Sequence, residues 1–285
     1  MADRQPHPKI SGRADADAML REAAAALNGG RPQDAERIAA AVIASDPRNI
    51  VALHIRGGAL LTQGRAAEAI APLEAAASGR HDAKIETLLA LALRETGRLD
   101  EALAGLKRAA KRRPPHIPAF YEYGCLLSFL DRHEEAIAVF RDGLAIAPMM
   151  PDLWIQLGYA FLRRRGCADA KAAFVRALEI SPAAPGALFG IAKAHQELGE
   201  SDTAAGYFRR YLAVKPNDAA AWLNLGQCLL ELEQRDAAYD CFRAIVRGDP
   251  RSYATVLLAL AKSPRGRFWL KQSDAARFLH KTPSV

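Results

Sequence analysis

The chain reads as all-α, an array of repeated helical pairs, and three observations predict this. Half of its 285 residues are apolar but only 7% are aromatic. Small and aliphatic side chains therefore supply the apolar share, which suits close-packed helices over strands. Prolines recur at Pro114, Pro148, Pro182, Pro216 and Pro250, each 34 residues after the last, with Pro47 two steps ahead of Pro114 and His81 in the missing place. Alanine keeps the same clock at Ala35, Ala69, Ala102, Ala136, Ala170, Ala204 and Ala238. A second small column runs Ala23, Gly57, Ala90, Gly124, Gly158, Ala192, Gly226. Two small-residue columns locked to one proline spacing are hard to obtain from composition alone.

Large residues fill the same frame. Four positions before the Gly/Ala column stand Met19, Leu53, Phe120, Trp154, Leu188 and Trp222, with Glu86 as the exception. Four after the clock alanine stand Leu73, Leu106, Phe140, Phe174, Phe208 and Phe242. These spacings give each unit two amphipathic helices. A turn lies between them, marked by Gly30, Gly64, Gly97, Gly166 and Gly199, and the proline stops the second helix. One such hairpin cannot cover its own apolar faces; stacking the next hairpin does, and a Gly or Ala at the crossing lets the backbones approach.

The unit from Pro151 to Ala184 carries Trp154, Leu157, Gly158, Phe161, Ala170, Phe174, Ala177 and Pro182. It resembles the tetratricopeptide repeat, with phenylalanine at 161 where tyrosine is usual. The unit holding Trp222, Leu225, Gly226, Ala238, Phe242 and Pro250, and the one holding Phe120, Gly124, Ala136, Phe140 and Pro148, are similar. The resemblance implies a right-handed superhelical solenoid of about seven units, at 16–49, 50–82, 83–116, 117–150, 151–184, 185–218 and 219–252. Residues 1–15 are expected as a disordered polar tail and 253–285 as C-terminal capping helices. There, a helix from Tyr253 to Lys262 and another capped by Ser273 are expected. Phe268 and Trp269, rimmed by Arg265, Arg267 and Lys271, form an alternative docking element.

Composition narrows function. Thirty-nine basic against 32 acidic residues give a formal +7 spread along the chain, short of a nucleic-acid footprint. The four cysteines form no CxxC pair and no metal spacing with histidine, so neither metal nor cofactor is expected. Cys228 and Cys241 fall on the two helices of one hairpin and are expected as a dormant thiol pair. No apolar run reaches the ~18 residues of a membrane span, and Met1–Ile10 has no apolar leader core, so a cytoplasmic protein is expected. Phosphate loops, HExxH and GxSxG are missing from the sequence. Lys111-Arg112-Arg113 and Arg163-Arg164-Arg165 fall at helix ends, where cations complement the dipole.

In the resembled family the first helix of each unit lines a concave surface that holds peptides. Mapped onto this chain, the resemblance implies a groove starting at His54 and Thr62, then Lys84, Thr87 and Arg94. It continues through Tyr121, Cys125 and Phe129, then Ile155, Tyr159 and Arg163. It ends with Phe189, Lys193 and Gln196, then Leu223, Asn224 and Gln227. Such an aromatic, slightly basic lining suits a protein or peptide partner with apolar anchors and some acidic character. The clamp by which chaperone-binding members hold a terminal carboxylate is not supplied at the matching positions. A non-enzymatic binding scaffold is thus expected. The alternative is an accessory subunit for a separate transferase of the glycosyltransferase or sulfotransferase type, since similar repeats precede such catalytic domains.

Overall fold

A computed structural model of the chain describes residues 12–79, 81–262 and 272–279. Among these are sixteen α-helices, one 3₁₀ turn and no strand. The chain divides into two compact units, Met1–Ile146 and Ala147–Val285. The first holds α1 (Arg13–Asn28), α2 (Pro32–Ser45), α3 (Ile50–Thr62), α4 (Ala66–Gly79), α5 (Ala83–Glu95), α6 (Leu99–Ala110), α7 (Ile117–Phe129) and α8 (His133–Ile146). The second holds α9 (Pro151–Arg163), α10 (Cys167–Ile180), α11 (Pro185–Glu197), α12 (Ser201–Val214), α13 (Ala219–Glu231) and α14 (Arg235–Gly248). A 3₁₀ turn at Pro250–Ser252 then leads to α15 (Tyr253–Lys262) and α16 (Gln272–Leu279).

Helices α1–α14 run as seven consecutive pairs, followed by α15 and α16. Within the first unit α1 touches both α2 and α3, α3 touches α5, and α5 touches α7; within the second, α9 touches α11. Within each unit, these odd-numbered helices meet both their own partner and a neighbouring odd-numbered helix. The helix α1 opens at Arg13, slightly inside the expected tail, with Asp15 in its first turn complementing the dipole; residues 1–11 lie outside the described ones.

The sequence clock has a direct physical counterpart. Helices α2, α8, α10, α12 and α14 each end two residues before the proline. The indoles of Trp154 and Trp222 donate to the carbonyls of Pro148 and Pro216, both at 2.8 Å, which ties the tryptophan column to the proline column. All seven clock alanines are fully buried, as are Phe140, Phe174, Phe208 and Phe242. A Cβ added at Gly158 would stand 2.6 Å from the Phe174 ring, and one at Gly190, on the following first helix, would also overlap it. Two glycines therefore bracket one phenylalanine.

The turn residue differs from expectation in one unit. Gly30, Gly64, Gly97 and Gly199 adopt left-handed φ values of 72°, 73°, 81° and 75°. The equivalent positions in the other units are Asp131, Arg165 and Glu233, at 57°, 57° and 62°. Gly166 is not the turn residue: its φ is −82° and it precedes α10. The 34-residue count places the turn at 165, so the nearby glycine misled.

Glu86, the exception in the large-residue column, is buried at 4% exposure. Its Oε1 accepts from Arg112 Nη2 at 2.6 Å, and its Oε2 has no hydrogen-bond partner. An ion pair to the end of α6 replaces the apolar contact made elsewhere. At the far end of the second unit, Val256, Leu260 and Leu279 join the core of Phe242, Ile245 and Val246. Phe278 meets Tyr239 edge-on at 4.9 Å, and Arg243 lies over its ring at 4.6 Å. The helices α15 and α16 therefore cover α14 with the apolar surface a further pair would otherwise supply. The proposed docking residues Phe268, Trp269, Arg265, Arg267 and Lys271 lie outside the described residues.

Candidate functional site

The odd-numbered helices carry every residue of the expected groove. In the first unit several of these side chains are already engaged. Thr62 Oγ1 donates to the Gly58 carbonyl at 2.9 Å, and buried Thr87 donates to the Ala83 carbonyl at 2.6 Å. Arg94 Nη1 donates to Glu122 Oε2 at 2.6 Å, linking α5 to α7. Glu122 was not anticipated and offsets the basic character read at Arg94; a carboxylate 28 residues on, six short of a full repeat and so on the next first helix, is the signal that could have found it. Burial pushes the Cys125 thiol up to about 12, against a smaller opposing effect of its Tyr121 hydrogen bond. That thiol stays protonated and packs as a small apolar group. Lys84 is exposed and Phe129, at the end of α7, is 72% exposed. Burial lowers the His54 imidazole, with Lys84 acting in the same direction and Asp82 opposing it.

The second unit brings the expected residues into two groups. Tyr159 donates from its hydroxyl to the Gly186 carbonyl at 2.9 Å and meets Phe174 edge-on at 5.2 Å. Phe189 stands edge-on to both Phe208 and Tyr211, at 5.6 and 5.2 Å. Tyr211 lies outside the expected set and belongs to α12. Its hydroxyl donates to Asp218 at 2.6 Å, while Asp218 also caps α13 by accepting from the Ala221 amide at 3.0 Å. Burial, then that carboxylate, pushes Tyr211 up to about 12.

The other group is polar and crosses from α11 to α13. Lys193 Nζ donates to Gln196 Oε1 at 2.9 Å and to Asn224 Oδ1 at 3.4 Å; Gln196 Nε2 donates to Gln227 Oε1 at 3.5 Å. All four side chains are half-buried. Lys193 contacts amide oxygens and has no carboxylate partner among the described residues. Ile155 is not available as a groove residue: it is 8% exposed and packs against Gly186. Arg163 ends α9 in solvent.

His195 is buried, bonded to Glu200 and stacked on Tyr207 at 5.5 Å. Lys171 Nζ donates to Glu200 at 2.9 Å, and Lys171, then His195, hold that carboxyl below its usual range. Cys228 and Cys241 are buried free thiols in one core, both pushed up to about 12 by burial. No group of histidine, cysteine and carboxylate side chains that could hold a metal occurs among the described residues. No helix among them is long and apolar enough to cross a membrane.

Comparison with known proteins agrees with this architecture. One tetratricopeptide repeat model matches residues 20–84, 155–212 and 189–253, and a second matches 117–148. The chain belongs to the tetratricopeptide repeat family. No curated protein matches the sequence. Among solved structures, the C-terminal part of a TPR repeat-containing protein from Cytophaga hutchinsonii is similar at 14% identity and TM-score 0.66, over 85% of this chain and 99% of that one. The pilF protein of Pseudomonas aeruginosa is similar at 20% identity and TM-score 0.63, over 72% and 95%. A chain of the APC/C Cut9-Hcn1 hetero-tetramer is similar at 16% identity and TM-score 0.67, over 87% of this chain and 49% of that one. At these identities the likeness is one of fold.

Proposed function

We propose that this protein is a non-enzymatic scaffold that holds a segment of a partner polypeptide on the faces of its odd-numbered helices, without a cofactor. Its fold is consistent with a protein-interaction scaffold, and tetratricopeptide repeat proteins are generally non-catalytic. The observation that carries the reading is the polar group of Lys193, Gln196, Asn224 and Gln227. Two of its links are long, at 3.4 and 3.5 Å, near the limit for a hydrogen bond. The backbone amides of an extended peptide would exchange them for shorter bonds at little desolvation cost. The half-buried aromatic residues Tyr159 and Phe189 flank this group along the same repeat series and offer apolar contact. Lys193, with no carboxylate partner among the described residues, favours an acidic residue in the segment. In the first unit Tyr121, Cys125 and exposed Phe129 provide the corresponding contacts, with Lys84 as the available cation.

Selection of displayed random peptides against the immobilised protein tests this. Wild type should enrich peptides pairing a large apolar residue with an acidic one. The variant Lys193→Ala/Asn224→Ala/Gln227→Ala should bind them about tenfold or more weakly with its helicity and melting unchanged. Equal binding by the triple variant would contradict the reading.

A further inference from the structure

A cleft between α12, α13 and α14 has a volume of about 530 Å³, within the usual range of small-molecule sites. Its walls are Leu212, Trp222, Leu225 and Leu229, its floor holds Cys241, and Arg209 and Asp240 are the charged groups lining it. It lies away from the proposed peptide surface: by helical spacing, Trp222, Leu225 and Leu229 face opposite to Asn224 and Gln227 on α13. This inference therefore goes beyond the peptide-binding reading and does not depend on it.

The repeat supplies its own reference. Thirty-four residues earlier, Cys241 is matched by Tyr207, Leu229 by His195 and Ala244 by Arg210. There the Tyr207 ring stacks on His195 at 5.5 Å and an interplanar angle of 13°, with Arg210 lying 5.2 Å from the ring centroid. An aromatic side chain and its cation fill the equivalent cleft. In the last pair all three groups have been replaced by smaller or apolar ones, and the space is open. The equivalent cleft in the first unit is smaller, about 260 Å³, and lined by Glu86, Arg108 and Arg112. Only the 530 Å³ cleft of these two combines an apolar wall with the footprint of a missing ring.

The charge at the mouth selects the substituent. Asp240 is paired with Arg243 at 2.8 Å. Arg209 is exposed and has no hydrogen-bond or ion-pair partner among the described residues. The unneutralised group at the opening is therefore a guanidinium, which favours a carboxylate. Aromatic faces pack well on indole, and thiols are soft contacts for rings. We propose that this cleft binds a small aromatic carboxylate, its ring between Trp222 and Cys241 and its carboxylate on Arg209.

Calorimetric titration of the full chain with 4-methylbenzoate, 4-methylbenzamide and 4-methylbenzylamine tests this. The carboxylate should bind about tenfold tighter than the amide, and the amine should bind no better than the amide. Arg209→Gln should bring the carboxylate down to the level of the amide. Cys241→Tyr/Ala244→Arg, which restores the Tyr207 and Arg210 arrangement, should remove binding of all three. Ala237→Leu, at an exposed lining position, obstructs the mouth without touching the core and should weaken all three about equally. Absence of any binding up to about 5 mM, equal affinity for carboxylate and amide, or wild-type affinity in both cleft-filling variants would overturn the proposal.

Discussion

Replacing Phe174 with alanine tests the packing that makes the array. The ring is fully buried and lies between Gly158 and Gly190, each too close to accept a Cβ. Neither glycine has a side chain that could swing into the hole, so the site cannot collapse by rotamer changes on those two sides. Removing the ring leaves roughly 100 Å³, which at about 24 cal/mol per Å³ costs about 2.4 kcal/mol. The lost transfer of the buried ring adds about 2 kcal/mol, and the edge contact with Tyr159 contributes up to about 1. Phe174→Ala should therefore destabilise by about 4–5 kcal/mol, at the upper end of such substitutions. Because repeats interact with their neighbours, the loss should concentrate in α9–α12. Urea unfolding followed by tryptophan fluorescence gives the total, and amide exchange over α9–α12 gives its location. Phe189→Ala, at a half-buried ring, should cost only about 1–2 kcal/mol. A cost below about 2 kcal/mol for Phe174→Ala, or one equal to that of Phe189→Ala, would refute the wedge argument.

Three other outcomes follow from the same geometry. Asp218→Ala loses both the α13 cap and the acceptor for Tyr211, so melting should show a loss of about 1–2 kcal/mol, with Asp218→Asn nearer wild type. Arg165→Gly and Glu233→Gly relieve left-handed backbone at positions where other units use glycine, and each should raise stability by about 0.5–1 kcal/mol in thermal melts. His54 and His116 are both lowered from 6.5, chiefly by burial. The folded state therefore binds fewer protons than the unfolded one below that value, so stability is full above pH 6.5 and declines as pH falls through it. His54→Asn/His116→Asn should flatten the decline between about pH 7.5 and 5.5, read from melting temperatures of the two proteins.

The repeat architecture was legible because its steric requirements are periodic. Ala170 and Gly158 are small for one reason, and that reason recurs every 34 residues. The turn was less legible: Arg165 adopts a backbone that glycine favours, and the adjacent Gly166 drew attention away from it. Glu86 broke the pattern of large apolar residues because its partner Arg112 lies 26 residues on, outside any helical spacing. For the candidate surface, family register placed Lys193, Gln196, Asn224 and Gln227 on neighbouring helices, where they do meet. Register could not show that Glu122 occupies Arg94, nor that Ile155 is spent on packing against Gly186. Those facts depend on side-chain reach across helices, which no column of the repeat encodes. The empty cleft beside Trp222 became visible only when Cys241 could be compared with the ring contacts of Tyr207.

The most direct test of the scaffold reading is site-specific photo-cross-linking of a selected peptide. A benzophenone side chain placed at Gln227, in the polar group on α13, should capture the peptide in high yield. The same group at Arg210, on α12, should capture little. Capture at position 210 with none at 227 would contradict the account, because the peptide would then lie on the even-numbered helices.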